Sequence, residues 1–311
     1  MDRIVFKYLN GVGVNLFAAI NKFTPTPLTL IALILMSPIA LALPPVGDVV
    51  TGSATISNPN PSTLQINQLS DRVIINYPQF SIGAGEQVRF VQPNASSIAL
   101  NRVTGGDASE IAGQLQANGQ VFLINPNGIV LSSGSQVDVG GLVATTLNIK
   151  DADFNNGQYH FSQTDGAQGV IVNQGVIEAI PEGYIALIAT RVTNSGELKA
   201  EGGNIALVSA DQVQITIAGS QFGIQTDQAS LDGLVDNQGT IEADGGVVIL
   251  EANTEGRLFE TVVNNDGIIK ANRLEDRGGE VWLSGGSQGD VWQSGCRGAT
   301  APTSRRWPTR N

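Results

Sequence analysis

Four short segments in the second half of the chain repeat one pattern, and that pattern restricts the fold more than any other property of the sequence. They are VNQGVIEA (172–179), TNSGELKA (193–200), DNQGTIEA (236–243) and NNDGIIKA (264–271), sharing Asn-x-Gly-x-[Ile/Leu]-[Glu/Lys]-Ala. The repeat turn residues are Asn173 and Gly175, Asn194 and Gly196, Asn237 and Gly239, and Asn265 and Gly267. Their asparagines step by 21, then 43, then 28 residues, so the middle step reads as about two turns of the first. Each copy is followed by a glycine and an apolar alternation, as in Gly183-Tyr-Ile-Ala-Leu-Ile and Gly203-Asn-Ile-Ala-Leu-Val. One unit thus holds at least two short strands separated by glycine turns.

A strand unit of this length cannot bury its own apolar face. Stacked as a solenoid it can, each turn hydrogen-bonding to the next. Glycine supplies the turn conformations with positive φ, and aligned asparagines can form a hydrogen-bonded ladder. The expected fold is therefore all-β, a parallel β-helix. A leucine-rich repeat has the period but needs a Leu-x-x-Leu-x-Leu core that is missing, and propeller blades need about twice the length. Residues 211–231 break the pattern and read as a small extra-helical excursion of two strands. Glu178, Lys199, Glu242 and Lys270 share one repeat position with alternating sign, which reads as a solvated charge ladder on neighbouring turns rather than a binding strip.

Composition agrees. With 37 glycines, 14% charged residues and few aromatics, the chain suits an all-β protein with many turns, and 41% hydrophobic content supports a sizeable core. A net charge of −11, without a basic stripe before the extreme C-terminus, argues against a nucleic-acid partner. The single cysteine, Cys296, excludes an internal disulfide framework, a cysteine-based zinc site and a CxxC redox pair. A chain without disulfides can be held unfolded and threaded through a pore. The N-terminus supplies an export signal: Arg3, Lys7 and Lys22 precede the apolar run LTLIALILMSPIALAL (28–43), and Ala40-Leu41-Ala42 offers a small-x-small cleavage site. Residues 1–42 read as a signal peptide. As an uncleaved membrane anchor, the 16-residue run falls short of a spanning helix.

The first half has the same texture of short apolar alternations, and here the residues point to a family. The succession VIINYPQFSIG (73–83), EQVRFVQPN (86–94), LNRVTGG (100–106) and GQVFLINPNGIVLSSGSQVDVGGLVATT (119–146), followed by the Asn-x-Gly repeats, resembles the amino-terminal secretion domain of two-partner-secretion exoproteins. Filamentous haemagglutinins and high-molecular-weight adhesins belong to that family. The similarity covers about residues 50–290, and the block from Gly119 is its most specific part.

The resemblance implies a right-handed β-helix exported through the Sec machinery of a Gram-negative cell. It also implies recognition in the periplasm by the POTRA domains of a partner outer-membrane β-barrel transporter, and folding at the cell surface, where the exoprotein acts as a secreted adhesin with a host or cell-surface receptor. The family's strongest motif, NPNGI, falls on Asn125, Pro126, Asn127, Gly128 and Ile129. A second family motif, NPNL, has no good match. Asn58-Pro59-Asn60-Pro61 lies too early, and Gln92-Pro93-Asn94-Ala95 departs in two of four residues, so that place receives no role.

Other chemistry is poorly supplied. His160, the only histidine, lacks a neighbouring nucleophile motif and reads as a surface or turn residue. Asp151-Ala-Asp153-Phe-Asn155-Asn156-Gly157 resembles the start of a calcium loop, but its glycine comes one place late and Ser162 stands where a bidentate Glu belongs. It reads as an Asn/Asp-rich turn. No cofactor is indicated. Some parallel β-helices cleave polysaccharides, but Asp71, Asp107, Asp138, Glu178 and Asp232 are dispersed in the sequence, so the reading is non-enzymatic. A glycan-binding adhesin in its own right is a further alternative. The β-helix is expected over residues 43–295. Residues 296–311 abandon the pattern, with four arginines and two prolines, and read as an aberrant, disordered tail from a frameshift or truncation.

Overall fold

The structure, a computed structural model, describes residues 43–164, 169–218, 221–255, 261–271, 280–284, 290–293 and 297–298. The expected signal peptide and the tail after residue 298 lie outside the described residues.

Among the described residues, three sheets of ten, nine and seven strands carry most of the strands. The chain visits them in that order and returns, so each circuit lays three strands beside those of the previous one. Gln114–Ala117, Gln120–Ile124 and Ile129–Leu131 form one turn, and Gln136–Val139, Gly141–Thr145 and Val170–Asn173 stack on it in parallel. This is the parallel β-helix that the repeat requires. Its interior is built from columns. Leu64, Val88, Leu115, Val137, Ile177, Leu198, Ile241 and Ile269 follow one another along the ten-stranded sheet, and none is more than 2% exposed. Each such side chain stabilises the fold by about 1.5–3 kcal/mol relative to leaving it in water.

The amino-terminal end runs the other way. Asp48–Thr51 pairs antiparallel with Arg72–Tyr77, and Ala54–Asn60 pairs antiparallel with Thr63–Gln68. These reversed strands occupy the amino-terminal edges of the nine- and ten-stranded sheets.

The ten-stranded sheet alternates buried and exposed positions, as in Gln136–Val139, whereas Tyr184–Ala189 of the nine-stranded sheet is buried at every position. A second core explains the difference. On the outer face of the nine-stranded sheet, Ile74, Leu100, Phe122, Val143, Ala186 and Ala206 form one column, covered by a separate four-stranded antiparallel sheet. That sheet consists of Asn148–Ile149, Tyr159–Ser162, Gln212–Ala218 and Gln221–Gln228.

The hairpin expected within residues 211–231 is thus present, but it changes how the repeat is counted. Asn194 and Asn237 are register partners on adjacent strands, so the 43-residue step is one turn carrying an insertion, not two turns. The insertion leaves and returns at one point, where the Asp211 N–H donates to the Gln228 carbonyl across 3.0 Å.

The Asn/Asp-rich segment also differs from expectation: Asp151–Asn155 is a single-turn α-helix. Phe154, fully buried against Phe122 and Tyr159, draws this turn onto the sheet, and Arg102 holds Asp151 at 2.7 Å. Strand pairing continues to Arg297–Gly298, which lies parallel to the Ile268–Lys270 strand.

Candidate functional site

A three-sided helix must turn three corners per circuit, and each of the three kinds of corner holds a buried carboxamide in at least one circuit. NPNGI forms the corner between the nine-stranded and seven-stranded sheets. Asn125 is 0% exposed; its Nδ2 donates to the Asp107 carbonyl and to Ser109 Oγ, both at 3.0 Å. Its Oδ1 accepts from the Asn127 N–H at 3.0 Å, and its carbonyl accepts from the Gly128 N–H at 3.0 Å, closing the turn. Pro126 presets φ at the second turn position. Gly128 adopts φ +118°, and a Cβ there would meet the Val170 carbonyl oxygen at 3.0 Å, so glycine answers both backbone and space. Ile129 is buried and pairs with Ser109 below and Ile171 above. Asn127 is the exposed member; its Nδ2 reaches the Gly105 carbonyl at 2.8 Å.

The repeat asparagines occupy a different corner, between the seven-stranded and ten-stranded sheets. Asn173, Asn194, Asn237 and Asn265 are all 0% exposed, and each of the first three donates Nδ2 to the next Oδ1, at 2.8, 2.7 and 2.6 Å. Gly175, Gly196, Gly239 and Gly267 follow two residues later and stack closely. A Cβ on Gly196, Gly239 or Gly267 would lie 2.1–2.2 Å from a carbonyl oxygen of the turn beneath.

The third corner, between the ten-stranded and nine-stranded sheets, falls where the sequence has no good NPNL match. Just after the strand Gln87–Val91 of the ten-stranded sheet Gln92 is buried, and its Nε2 donates to Gln68 Oε1 and the Ser97 carbonyl, both at 3.0 Å. Asn94 caps the following turn through the Ser96 N–H at 2.9 Å. Its signal was the Pro-Asn turn dipeptide itself: the mismatch to the family motif hid a glutamine that fills a corner as asparagine does elsewhere.

The remaining candidates are surface features. Glu178, Lys199, Glu242 and Lys270 stand in register on successive strands of the ten-stranded sheet. Lys270 bonds Glu242, whereas Lys199 turns to Glu197 on its own strand at 2.9 Å. Those carboxylate hydrogen bonds raise both lysines above the usual lysine range. His160 is exposed between buried Tyr159 and Phe161. The carboxylates are less dispersed than the sequence suggested, because Asp138 and Glu178, 40 residues apart, are register partners on adjacent strands. Both are exposed on an open sheet face with Lys199 next in line, a setting without the groove that would hold a sugar ring between two carboxyl groups. Among the described residues no group of three or more His, Cys, Asp or Glu could hold a metal ion, and no helix is long and apolar enough to cross a membrane.

Comparison with known proteins adds the family. The profile of the TPS secretion domain matches residues 44–296. The chain belongs to the TPS secretion domain family. A heme/hemopexin-binding protein of Haemophilus influenzae is 32% identical over 250 residues, covering 78% of this chain and 27% of that protein; another from the same species is 31% identical over 256 residues. The chain therefore spans about a quarter of the length of these curated relatives. Among solved structures, the HMW1 secretion domain of Haemophilus influenzae superposes with a TM-score of 0.75 at 32% identity, over 83% of this chain and 66% of that one. The filamentous hemagglutinin secretion domain, at 15% identity and TM-score 0.50, shares the fold. As a TPS secretion domain, the chain is the part of an exoprotein that serves two-partner secretion, in which a partner transporter recognises it.

Proposed function

We propose that this TPS secretion domain leads an adhesin-like exoprotein across two membranes, exported by the Sec machinery and recognised in the periplasm by the POTRA domains of an outer-membrane β-barrel. The corner Asn125–Ile129 is its recognition signal. One observation supports this assignment: the folded corner buries Asn125, Gly128 and Ile129 but makes less use of Pro126 and Asn127, which leaves these two for a step that precedes folding. Recognition takes place on the extended, disulfide-free chain, which adds strands to the periplasmic sheets through backbone hydrogen bonds. Successive turns then fold outside, burying apolar side chains and biasing movement outward.

Secretion from cells with and without the candidate transporter tests the reading. Asn127→Ala should leave the purified domain folded yet reduce its export, and deletion of the barrel should abolish export. Undiminished secretion without the barrel refutes it.

A further inference from the structure

The four-stranded outer sheet ends on a strand with an open side. Its order runs from Asn148–Ile149 through Tyr159–Ser162 and Gln212–Ala218 to Gln221–Gln228, and among the described residues this last strand pairs with Gln212–Ala218 alone. The sheet also climbs the solenoid. At its start Arg102 donates to Asn148 Oδ1 and to the Ile149 carbonyl; at its end Phe222 stacks on Tyr184 with ring centroids 5.1 Å apart, and Thr226 Oγ1 donates to Glu251 at 2.7 Å. The open edge therefore faces the C-terminal turns.

The floor beside that edge is apolar. Ala206, Ile249 and Trp282 continue the outer column; Ala206 is fully covered, Ile249 half-buried and Trp282 50% exposed. Exposed edge strands are ordinarily guarded by proline, lysine, bulges or short length. Gln221–Gln228 has no proline and no lysine, and its one irregularity, the register shift at Asp227, leaves Gln221–Thr226 in regular pairing. Among the described side chains beside it, Asp227 and Glu251 are acidic, and Gln221–Gln228 and Val247–Ala252 hold no Lys, Arg or His.

We propose that this edge and floor form an acceptor site for one extended, basic segment of another polypeptide. The segment adds as a fifth strand, donating and accepting backbone hydrogen bonds along Gln221–Thr226. Alternate apolar side chains rest on Ile249 and Trp282, and a lysine or arginine meets Asp227. A second copy of this chain is a poorer occupant, because its matching strand brings Asp227 and no base. The site belongs to the folded domain and does not rest on periplasmic recognition of the extended chain.

Fluorescence anisotropy of a labelled Lys-Val-Thr-Val-Thr-Val-Lys peptide on the purified full chain tests it. Saturable binding is expected, weakened about tenfold or more by Trp282→Glu or by Asp227→Lys, and absent for a peptide with proline at its centre. Both substitutions fall at exposed or half-exposed positions, and unchanged thermal melts will show that the variants fold. The proposal is overturned if no saturable binding occurs, if Trp282→Glu binds as tightly as the wild type, or if the proline or a glutamate-ended peptide binds equally well. A stable dimer of the unliganded chain that the peptide fails to dissociate would also overturn it.

Discussion

Asn194 Nδ2 lies 2.7 Å from Asn237 Oδ1, with both side chains fully buried, although 43 residues separate them. The contact exists because the intervening hairpin is bulged out of the solenoid at a single point. Within the ladder, Asn194 both accepts from Asn173 and donates to Asn237. Asn194→Ala strands one donor and one acceptor in the interior, each costing about 1–3 kcal/mol. Urea unfolding should give a clearly lower midpoint for Asn194→Ala than for the wild type, and an unchanged midpoint would show that the ladder adds nothing to stability.

Two glycines provide a matched pair. A Cβ on Gly239 would stand 2.1 Å from the Gly196 carbonyl oxygen, whereas one on Gly106 would meet nothing within 4 Å. Gly239→Ala should therefore destabilise by at least the ~1–3 kcal/mol typical of overpacking, while Gly106→Ala stays within about 0.5 kcal/mol of the wild type. Thermal denaturation of the two variants checks the contrast.

The hairpin can be removed without reaching across space, since Asp211 and Gln228 already touch. Excising residues 212–228 should preserve the far-UV signature of the β-helix but uncover Val143, Ala186, Ala206 and Val208. The expected readout is strong binding of a hydrophobic dye together with a lowered melting temperature. An unchanged melting temperature would mean that the second core contributes nothing to global stability.

Stability should fall at alkaline pH. Burial raises Tyr77 and Tyr184 above the ordinary phenol range, and carboxylate hydrogen bonds raise Lys199 and Lys270. Groups raised in the folded state bind protons more tightly there than in the unfolded chain. Their stabilisation is complete below the ordinary value near 10 and is lost as pH climbs beyond it. The Tyr77 hydroxyl is buried without a hydrogen-bond partner among the described residues. Tyr77→Phe should thus be neutral or stabilising at pH 7 and should flatten the alkaline limb of a stability-versus-pH curve. A loss of several degrees at pH 7 would contradict this account.

The solenoid, its ladder and the charge column were legible because a register that repeats in space also repeats in sequence: Glu178, Lys199, Glu242 and Lys270 occupy one column for that reason. The outer sheet was only half legible. Its hairpin showed as an interruption, but Tyr159–Ser162 lies about 50 residues before the strand it pairs with, Gln212–Ala218, and no local pattern announces such a partner. The clue was quantitative. Runs such as YIALIA are apolar at successive positions, as a strand covered on both faces requires, whereas VIEA alternates. Gln92 escaped notice because its role depends on three groups that meet only at the corner.

The reversed strands at the amino-terminal end give the molecule a polarity like that of a crystal with one poisoned face. Asp48–Thr51 and Ala54–Asn60 take up the hydrogen bonds that another parallel turn would need from two of the three sheets on that side. Each later turn, by contrast, presents a fresh template toward the carboxyl end, where register is already set by the columns beneath. Ordered growth from this seed can run in one direction only, the direction in which residues arrive when a chain emerges amino end first.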